Sequence, residues 1–432
     1  MPLLKDLRTA RRMASSLWQS RLIRREIARR ARSFPQPARG SIRIAVYFAD
    51  SAVNMYQIRQ WYAPLADLAK TWPVAIISRS PGAALKLLDE APVPTLYLRQ
   101  VVDLEDFLAQ QGPRIVLYVN QNARNFQMMR YGRIWHVFIN HGESDKMYMT
   151  TNQFKAYDYS FVAGDAALER LRRKLWDFDL EKRAIPIGRP QADHFAGDLP
   201  YSPDERIVVL YAPTWEGDRT SAANGSIETH GVTAITALLR TGRHRVIYRP
   251  HPRSGVVDPA YRRANLAIIA AIASANSKDR SAQHIFDDGP TLGWQLVAAD
   301  VAITDISAMV YDRLATGKPI VVTRPARPEA EIDEGGFLGD AEWLTTENSA
   351  DVVAVIDRAI GSEESRHRLE HWVTHHFGDT TPGAATARFR GAIEMLMGEW
   401  DRHAALHADD LGFPEEGADD GLDDDESALT RE

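Results

Sequence analysis

Residues 42–49 read IRIAVYFA and residues 206–211 read RIVVLY. Each is a short apolar run rich in β-branched and aromatic side chains, so each predicts a buried strand. The same pattern runs outward from both. After the first run come Val74–Ser78, Ile115–Val119, Trp135–Asn140, Tyr159–Ala163 and Ala184–Ile187, with helical stretches such as 53–70 between several of them. After the second come Arg245–Arg249, His284–Phe286, Val301–Thr304 and Pro319–Thr323, alternating with helical stretches near 231–240, 259–275 and 307–316. Strands alternating with helices predict βαβ units and mostly parallel sheets. A pattern that restarts predicts two such units. The expectation is an α/β chain of two Rossmann-like domains, 41–198 and 199–382, parted where Gly197, Pro200 and Pro203 cluster. A helix over 383–405 is placed to cross back over the first domain. Ligands of such sheets bind beyond the carboxyl ends of the strands, so the expected site is the cleft where the two domains face each other.

Composition narrows the function. The 432 residues are 44% hydrophobic and 25% charged, the balance of a soluble globular chain. The net charge of −6 argues against a nucleic-acid-binding body. The chain has no cysteine, which excludes disulfides, a thiolate nucleophile and Cys-ligated zinc or iron–sulfur centres. No apolar run approaches the ~18–20 residues of a membrane span, and the N-terminus lacks the apolar core of a secretory signal.

The charge is unevenly laid out. Residues 1–40 hold 11 Lys/Arg against 2 Asp/Glu, and residues 408–432 hold 11 Asp/Glu against 1 Arg. Within 1–34, Leu3, Leu7, Leu17, Trp18, Leu22, Ile23 and Ile27 share an apolar side and arginines fill much of the rest. That pattern predicts an amphipathic helix suited to an anionic membrane surface. A helix packed on its own domain is the alternative. The acidic tail, 406–432, is too poor in apolar residues to fold alone and predicts disorder.

Five polar blocks sit at predicted strand ends. His141-Gly142-Glu143-Ser144-Asp145-Lys146 follows WHVFIN. A histidine there suits a general base, and Gly142 permits close approach to a ligand. Gly188-Arg189-Pro190-Gln191-Ala192-Asp193 offers Arg189 to a phosphate, or reads as a turn with a surface ion pair. Ala212-Pro213-Thr214-Trp215-Glu216 offers Trp215 as a stacking platform or a core ring. Arg249-Pro250-His251-Pro252 holds His251 in a rigid extended loop, where Arg249 and His251 suit a diphosphate. Thr304, Asp305 and Ser307 lie where a strand meets a helix, as an anion site or as plain caps. Asp312 lies farther along that helix. The chain has no P-loop, GxGxxG or HExxH, and Asp177-Phe178-Asp179 reads as a solvated turn.

Taken in order, these blocks resemble the CDP-glycerol glycerophosphotransferase family of teichoic acid synthesis, over roughly Tyr118 to Arg390. The late FGDTTPGAA is similar to a further segment of that family. The resemblance implies a GT-B-like fold and a peripheral enzyme on the cytoplasmic face of the membrane. It implies transfer of glycerol phosphate, or a related polyol phosphate, from a CDP-linked donor to a hydroxyl of a lipid-linked acceptor, with release of CMP and no metal or redox cofactor. By position it implies His141 as base and His251 with Arg249 on the donor diphosphate. Thr304, Asp305 and Ser307 would then bind phosphate or polyol, with Arg189, Asp312 and Lys318 as further candidates. The chain departs from the family pattern at Glu143–Asp145, Glu216 and Ala308, which leaves the polyol and acceptor open. Two other readings share the layout: a GT-B glycosyltransferase or sugar-nucleotide epimerase acting on a UDP-sugar, and a non-catalytic scaffold of envelope assembly.

Overall fold

A computed structural model describes residues 21–30, 32, 37–143, 150–217, 223–289, 292–327, 329–330, 332 and 334–407. Its first sheet contains β1 (Ile44–Phe48), β2 (Val74–Ser78), β3 (Thr95–Tyr97), β4 (Ile115–Tyr118), β5 (Trp135–Phe138), β6 (Tyr159–Val162) and β7 (Ala184–Pro186). Its second contains β8 (Ile207–Ala212), β9 (His244–Tyr248), β10 (Ile285–Phe286), β11 (Val301–Thr304), β12 (Ile320–Thr323) and β13 (Glu342–Leu344). The strand orders are β3-β2-β1-β4-β5-β6-β7 and β10-β9-β8-β11-β12-β13, and every pairing is parallel. Both orders follow the doubly wound dinucleotide-fold pattern, in which the chain departs in opposite directions from two adjacent central strands. The α/β, two-sheet expectation is met.

Burial explains why the central strands read as unbroken apolar runs. β1 is wholly buried, with Ile44, Val46 and Phe48 in one core layer and Ala45 and Tyr47 in the layer on the opposite face. A parallel sheet covered on both faces leaves no solvated side to alternate with. The edge strands β3 and β13, which the sequence pattern does not single out, are three residues long and mostly half-buried.

The last helix, Ala384–Leu406, follows the second sheet in sequence but packs on the first. Its Phe389, Ile393 and Leu396 lie in the first-sheet core with Val46, Trp61 and Ile115. Each such burial contributes roughly 1.5–3 kcal/mol. Trp135 donates from Nε1 to the Leu396 carbonyl at 3.1 Å, and Arg114 lies 4.5 Å from the Trp400 ring.

The basic N-terminal segment is described only in part. Residues 21–30 are helical, and Ile27 is buried rather than exposed. Glu26 accepts hydrogen bonds from Arg29 and Arg30, and Arg30 pairs with Asp89. Residues 1–20 and 408–432, which carry the rest of the basic segment expected to be an amphipathic helix and the acidic tail, lie outside the described residues. Among the described residues, no helix is long and apolar enough to cross a membrane.

Candidate active site

A cavity of about 1110 Å³ opens between the two sheets. It is lined by residues just beyond the ends of β1 and β4 on one side and of β8, β9 and β11 on the other. These include the points where each sheet's chain direction divides. Eight expected residues line it: His141, Gly142, Arg189, Trp215, Arg249, His251, Ser307 and Asp312. Lys146, with Ser144 and Asp145, lies outside the described residues.

His141 is held by a backbone turn just past β5. Asn140 adopts a left-handed conformation, φ 53°, which asparagine tolerates better than most residues. Its Oδ1 accepts from the His141 N–H at 2.8 Å, its Nδ2 donates to the Gly142 carbonyl, and its carbonyl accepts from Trp61 Nε1. The His141 ring then meets the Val119 carbonyl through Nδ1 at 3.1 Å, and the Tyr56 ring edge-on at 5.9 Å. A carbonyl can only accept, so Nδ1 carries the hydrogen. In the neutral ring Nε2 is therefore the basic nitrogen.

His251 is held the other way round. Its Nδ1 accepts a backbone N–H from Arg253 at 3.1 Å, and its own N–H donates to the Pro213 carbonyl at 3.2 Å. An accepting Nδ1 leaves the hydrogen of the neutral ring on Nε2, which makes His251 a donor. Arg249 is tied to Asp287 at 2.5 Å and to the Gly289 carbonyl at 3.0 Å, which uses two of its five N–H groups. Asp287 also accepts from Gln295 Nε2 at 2.5 Å, which fixes the guanidinium at the cavity edge. Trp215 presents one ring face to Arg253, whose guanidinium carbon sits 3.8 Å from the ring centroid. Trp215 is thus half of a cation–π pair on the cavity wall rather than a core ring.

Several expected roles change. Thr304 is still inside β11, paired in register with Ala212 of β8, so it is fully buried and its hydroxyl has no hydrogen-bond partner among the described residues. Asp305 is buried below the cavity and pins three loops. It accepts from the Thr214 N–H at 2.8 Å, the Ser226 N–H at 3.1 Å and the Thr323 hydroxyl at 2.6 Å. Burial pushes its pKa up to about 6, against those hydrogen bonds. Neither residue is among those that line the cavity. Lys318 lies away from the cavity and donates to the Val297 carbonyl. Ser307 does line the cavity, while its hydroxyl accepts from Met309 N–H and caps the helix Ala308–Leu314.

Arg189 is not a free phosphate ligand. It is buried, forms an ion pair with Asp312 across the cleft, and donates to Gln60 Oε1 at 3.0 Å. Burial drives the Asp312 pKa up and Arg189 pulls it back down. The preceding Gly188 has φ +72°, and a Cβ there would collide with the Arg388 side chain and come 3.1 Å from the Phe377 carbonyl. Only glycine lets this turn pass between the last two helices and deliver Arg189 to the cleft.

The departures from the family pattern have local explanations. Glu143 pairs with Arg170 in a buried contact. Glu216 accepts the backbone N–H groups of Gly255, Val257 and Asp258 at 2.8–3.0 Å, closing the loop after His251. Burial opposes its charge, but those bonds keep its pKa below the usual value. Ala308 lines the cavity and supplies no hydroxyl.

Sequence reasoning missed the opposite wall. Asp50, Tyr56, Gln57, Gln60, Asn120, Gln121 and Asn122 all line the cavity. The available signal was Asp50 and the run Asn120-Gln121-Asn122, each directly after an apolar strand.

Residues 139–331 match the family described as CDP-Glycerol:Poly(glycerophosphate) glycerophosphotransferase. The matched stretch holds His141, Arg189, Trp215, His251 and Ser307, and the match is to the family and enzyme class expected from the ordered motifs. No curated protein matches the chain. Among solved structures, the wall teichoic acid polymerase TagF is 12% identical, with 92% of this chain and 98% of that one covered and a TM-score of 0.52. A Listeria monocytogenes protein assigned as a UDP-N-acetylglucosamine 2-epimerase is 14% identical, with 83% and 97% covered and a TM-score of 0.57. The Neisseria meningitidis UDP-GlcNAc 2-epimerase bound to UDP-GlcNAc is 14% identical, with 83% and 100% covered and a TM-score of 0.50. At these identities the likeness is one of fold, a GT-B-like pair of Rossmann-like domains.

Proposed function

We propose that this protein transfers glycerol phosphate, or a related polyol phosphate, from a CDP-linked donor to a hydroxyl of a lipid-linked envelope acceptor, releasing CMP. His141 Nε2 takes the proton from the acceptor hydroxyl. The oxygen attacks the phosphorus that carries the polyol, a P–O bond forms, and the bond from that phosphorus to the CMP oxygen breaks. His251, donating from Nε2, and the remaining N–H groups of Arg249 stabilise the charge on the diphosphate and on departing CMP. Ser307 and Trp215 contact the donor. Positioning and fixed charge supply most of the rate. No metal or redox cofactor enters the scheme, so CMP release is expected to persist in EDTA.

The observation that carries this reading is the pair of opposed histidines lining one cavity, one basic at Nε2 and one donating from Nε2. Acid–base phosphoryl transfer calls for that pair. The test is a donor panel. CDP-glycerol with a lipid-linked acceptor is expected to release CMP, and His141→Ala or His251→Ala to abolish release. Release of UDP from a UDP-sugar, without CMP release, would establish the glycosyltransferase reading in its place.

The proposal includes attachment to the inner face of the membrane through the basic N-terminal residues. Because Ile27 is buried and Arg30 pairs with Asp89, the discriminating deletion is residues 1–20. That variant is expected to lose binding to anionic vesicles, and salt to weaken binding of the full chain. Equal binding by both proteins would remove the anchor.

A further inference from the structure

The loop that follows His251 has little footing of its own. Among the described residues none of 252–260 is buried, and Val256 and Val257 are 70% and 58% exposed. A loop without buried side chains depends on its backbone contacts for a fixed position. Those contacts come from the neighbouring loop, residues 213–216. The Pro213 carbonyl accepts the His251 N–H at 3.2 Å, and the Trp215 ring takes the Arg253 guanidinium at 3.8 Å. Glu216 Oε2 accepts the Gly255 N–H at 2.9 Å, and Oε1 accepts those of Val257 at 2.8 Å and Asp258 at 3.0 Å. Past this point the chain enters the helix Pro259–Lys278, whose buried Tyr261 donates its hydroxyl to the Thr214 carbonyl at 2.6 Å.

One backbone N–H of this loop bears on the cavity. The Arg253 N–H meets His251 Nδ1 at 3.1 Å and keeps the hydrogen of the neutral ring on Nε2. Two turns link that N–H to the clamped part of the loop. The Ser254 N–H donates to the His251 carbonyl at 2.8 Å, and the Val256 N–H donates to the Arg253 carbonyl at 3.2 Å. Gly255, between them, has φ +76°, and a Cβ there would lie 2.6 Å from Arg262 Cα, so the loop also rests closely on the helix. Glu216 itself is not among the residues that line the cavity. An ionised carboxylate that accepts three N–H groups is a stronger clamp than neutral contacts of the same number.

We propose that Glu216 is a positioning residue: it fixes the loop 252–258, and through the Arg253 N–H it keeps His251 a donor at Nε2. The effect on the ring stands by itself, and its consequence for rate rests on the transferase reading. The proposal gives a function to a residue at which this chain departs from the family pattern.

The test reads the ring and the reaction separately, on the full chain with its histidines labelled for nitrogen NMR. The His251 signals are identified by their loss in His251→Gln. The neutral ring of the parent is expected to show a bare Nδ1 and a protonated Nε2, and that of Glu216→Ala a mixture of both tautomers. Glu216→Ala is expected to slow CMP release from CDP-glycerol by about ten- to hundredfold, and by no more than His251→Ala does. Glu216→Asp keeps the charge but is one methylene short, and is expected to lose as much. Glu216→Gln keeps one accepting oxygen and is expected to fall between. Gly255→Ala displaces the same loop without touching Glu216 and is expected to mix the tautomers too, which serves if circular dichroism shows Glu216→Ala unfolded. An unchanged His251 tautomer in the folded variants, or CMP release as fast in Glu216→Ala or Glu216→Asp as in the parent, would overturn the proposal. Mixed tautomers in the variants of a parent that releases no CMP would uphold the positioning role and sink the transferase reading. CMP release by the parent, with the tautomer unchanged in the variants, would do the reverse.

Discussion

The two walls of the cleft grow from the same strand order, and each presents a histidine on the loop beyond a parallel strand. The His141 ring gives its Nδ1 hydrogen to a carbonyl, and the His251 ring takes a hydrogen at Nδ1 from a backbone N–H. One backbone contact thus makes one ring a base and the other a donor. A fold of this kind fixes where a ligand goes, while the partner of a single ring nitrogen fixes what the side chain does there.

Glutamine substitutions break the symmetry most sharply. A glutamine amide can donate a hydrogen bond, but it cannot accept a proton near neutral pH. His141→Gln is expected to lose as much kcat as His141→Ala, about 10³–10⁴-fold. His251→Ala is expected to lose about 10²–10³-fold, and His251→Gln to recover to within roughly tenfold of the parent. Equal rescue at both positions in single-turnover CMP release would remove the assigned roles.

The walls are joined by Arg189 and Asp312, both buried. Asp312→Ala leaves a buried guanidinium without its counter-charge and is expected to destabilise the protein by about 3–5 kcal/mol. Arg189→Met with Asp312→Leu, which removes both charges, is expected to cost less than either single change. A double-mutant cycle in urea reads the coupling. Strict additivity would show that the two side chains act independently.

The aspartates at the two switch points differ as well. Asp50 faces the cavity, whereas Asp305 is buried with its pKa pushed up to about 6 from the ordinary 3.8. Because the folded-state value is the higher one, Asp305 favours folding while protonated, below about pH 4. That contribution is lost as pH rises through about 6. The loss amounts to about 3 kcal/mol. Asp305→Asn stays neutral, so its stability relative to the parent is expected to rise by about that much between pH 4 and 7. A difference flat with pH in paired melts would place the Asp305 titration elsewhere.

How much the sequence discloses follows from the same contrasts. The central strands are legible because both faces are buried, and His141 and His251 because polar residues break sharply from apolar runs. Thr304 and Asp305 sit in an equally suggestive block, but register in β11 and convergence of three loops decide where they point, and neither is written locally. The Arg189–Asp312 pair joins blocks far apart in sequence. Gln57, Gln60 and the run Asn120-Gln121-Asn122 are only weakly legible, for another reason. Asparagine and glutamine after a strand read as ordinary loop residues until two sheets bring them round one cavity.

Trp215 offers the smallest and most local test of the donor wall. Arg253 covers one face of its indole, so a nucleobase would use the other face or the ring edge. If the ring is a platform for the donor's base, Trp215→Ala removes a stacking contact of about 1–2 kcal/mol. That raises KM for the CDP-linked donor by about five- to thirtyfold and weakens CMP inhibition in parallel. Trp215→Phe keeps an aromatic face and is expected to restore most of both. Arg253→Ala separates support of the ring from direct contact, since it frees the covered face and is expected to change KM by less than Trp215→Ala does. If Trp215→Ala raises the KM of the acceptor and leaves that of the donor unchanged, the indole belongs to the acceptor side of the cleft.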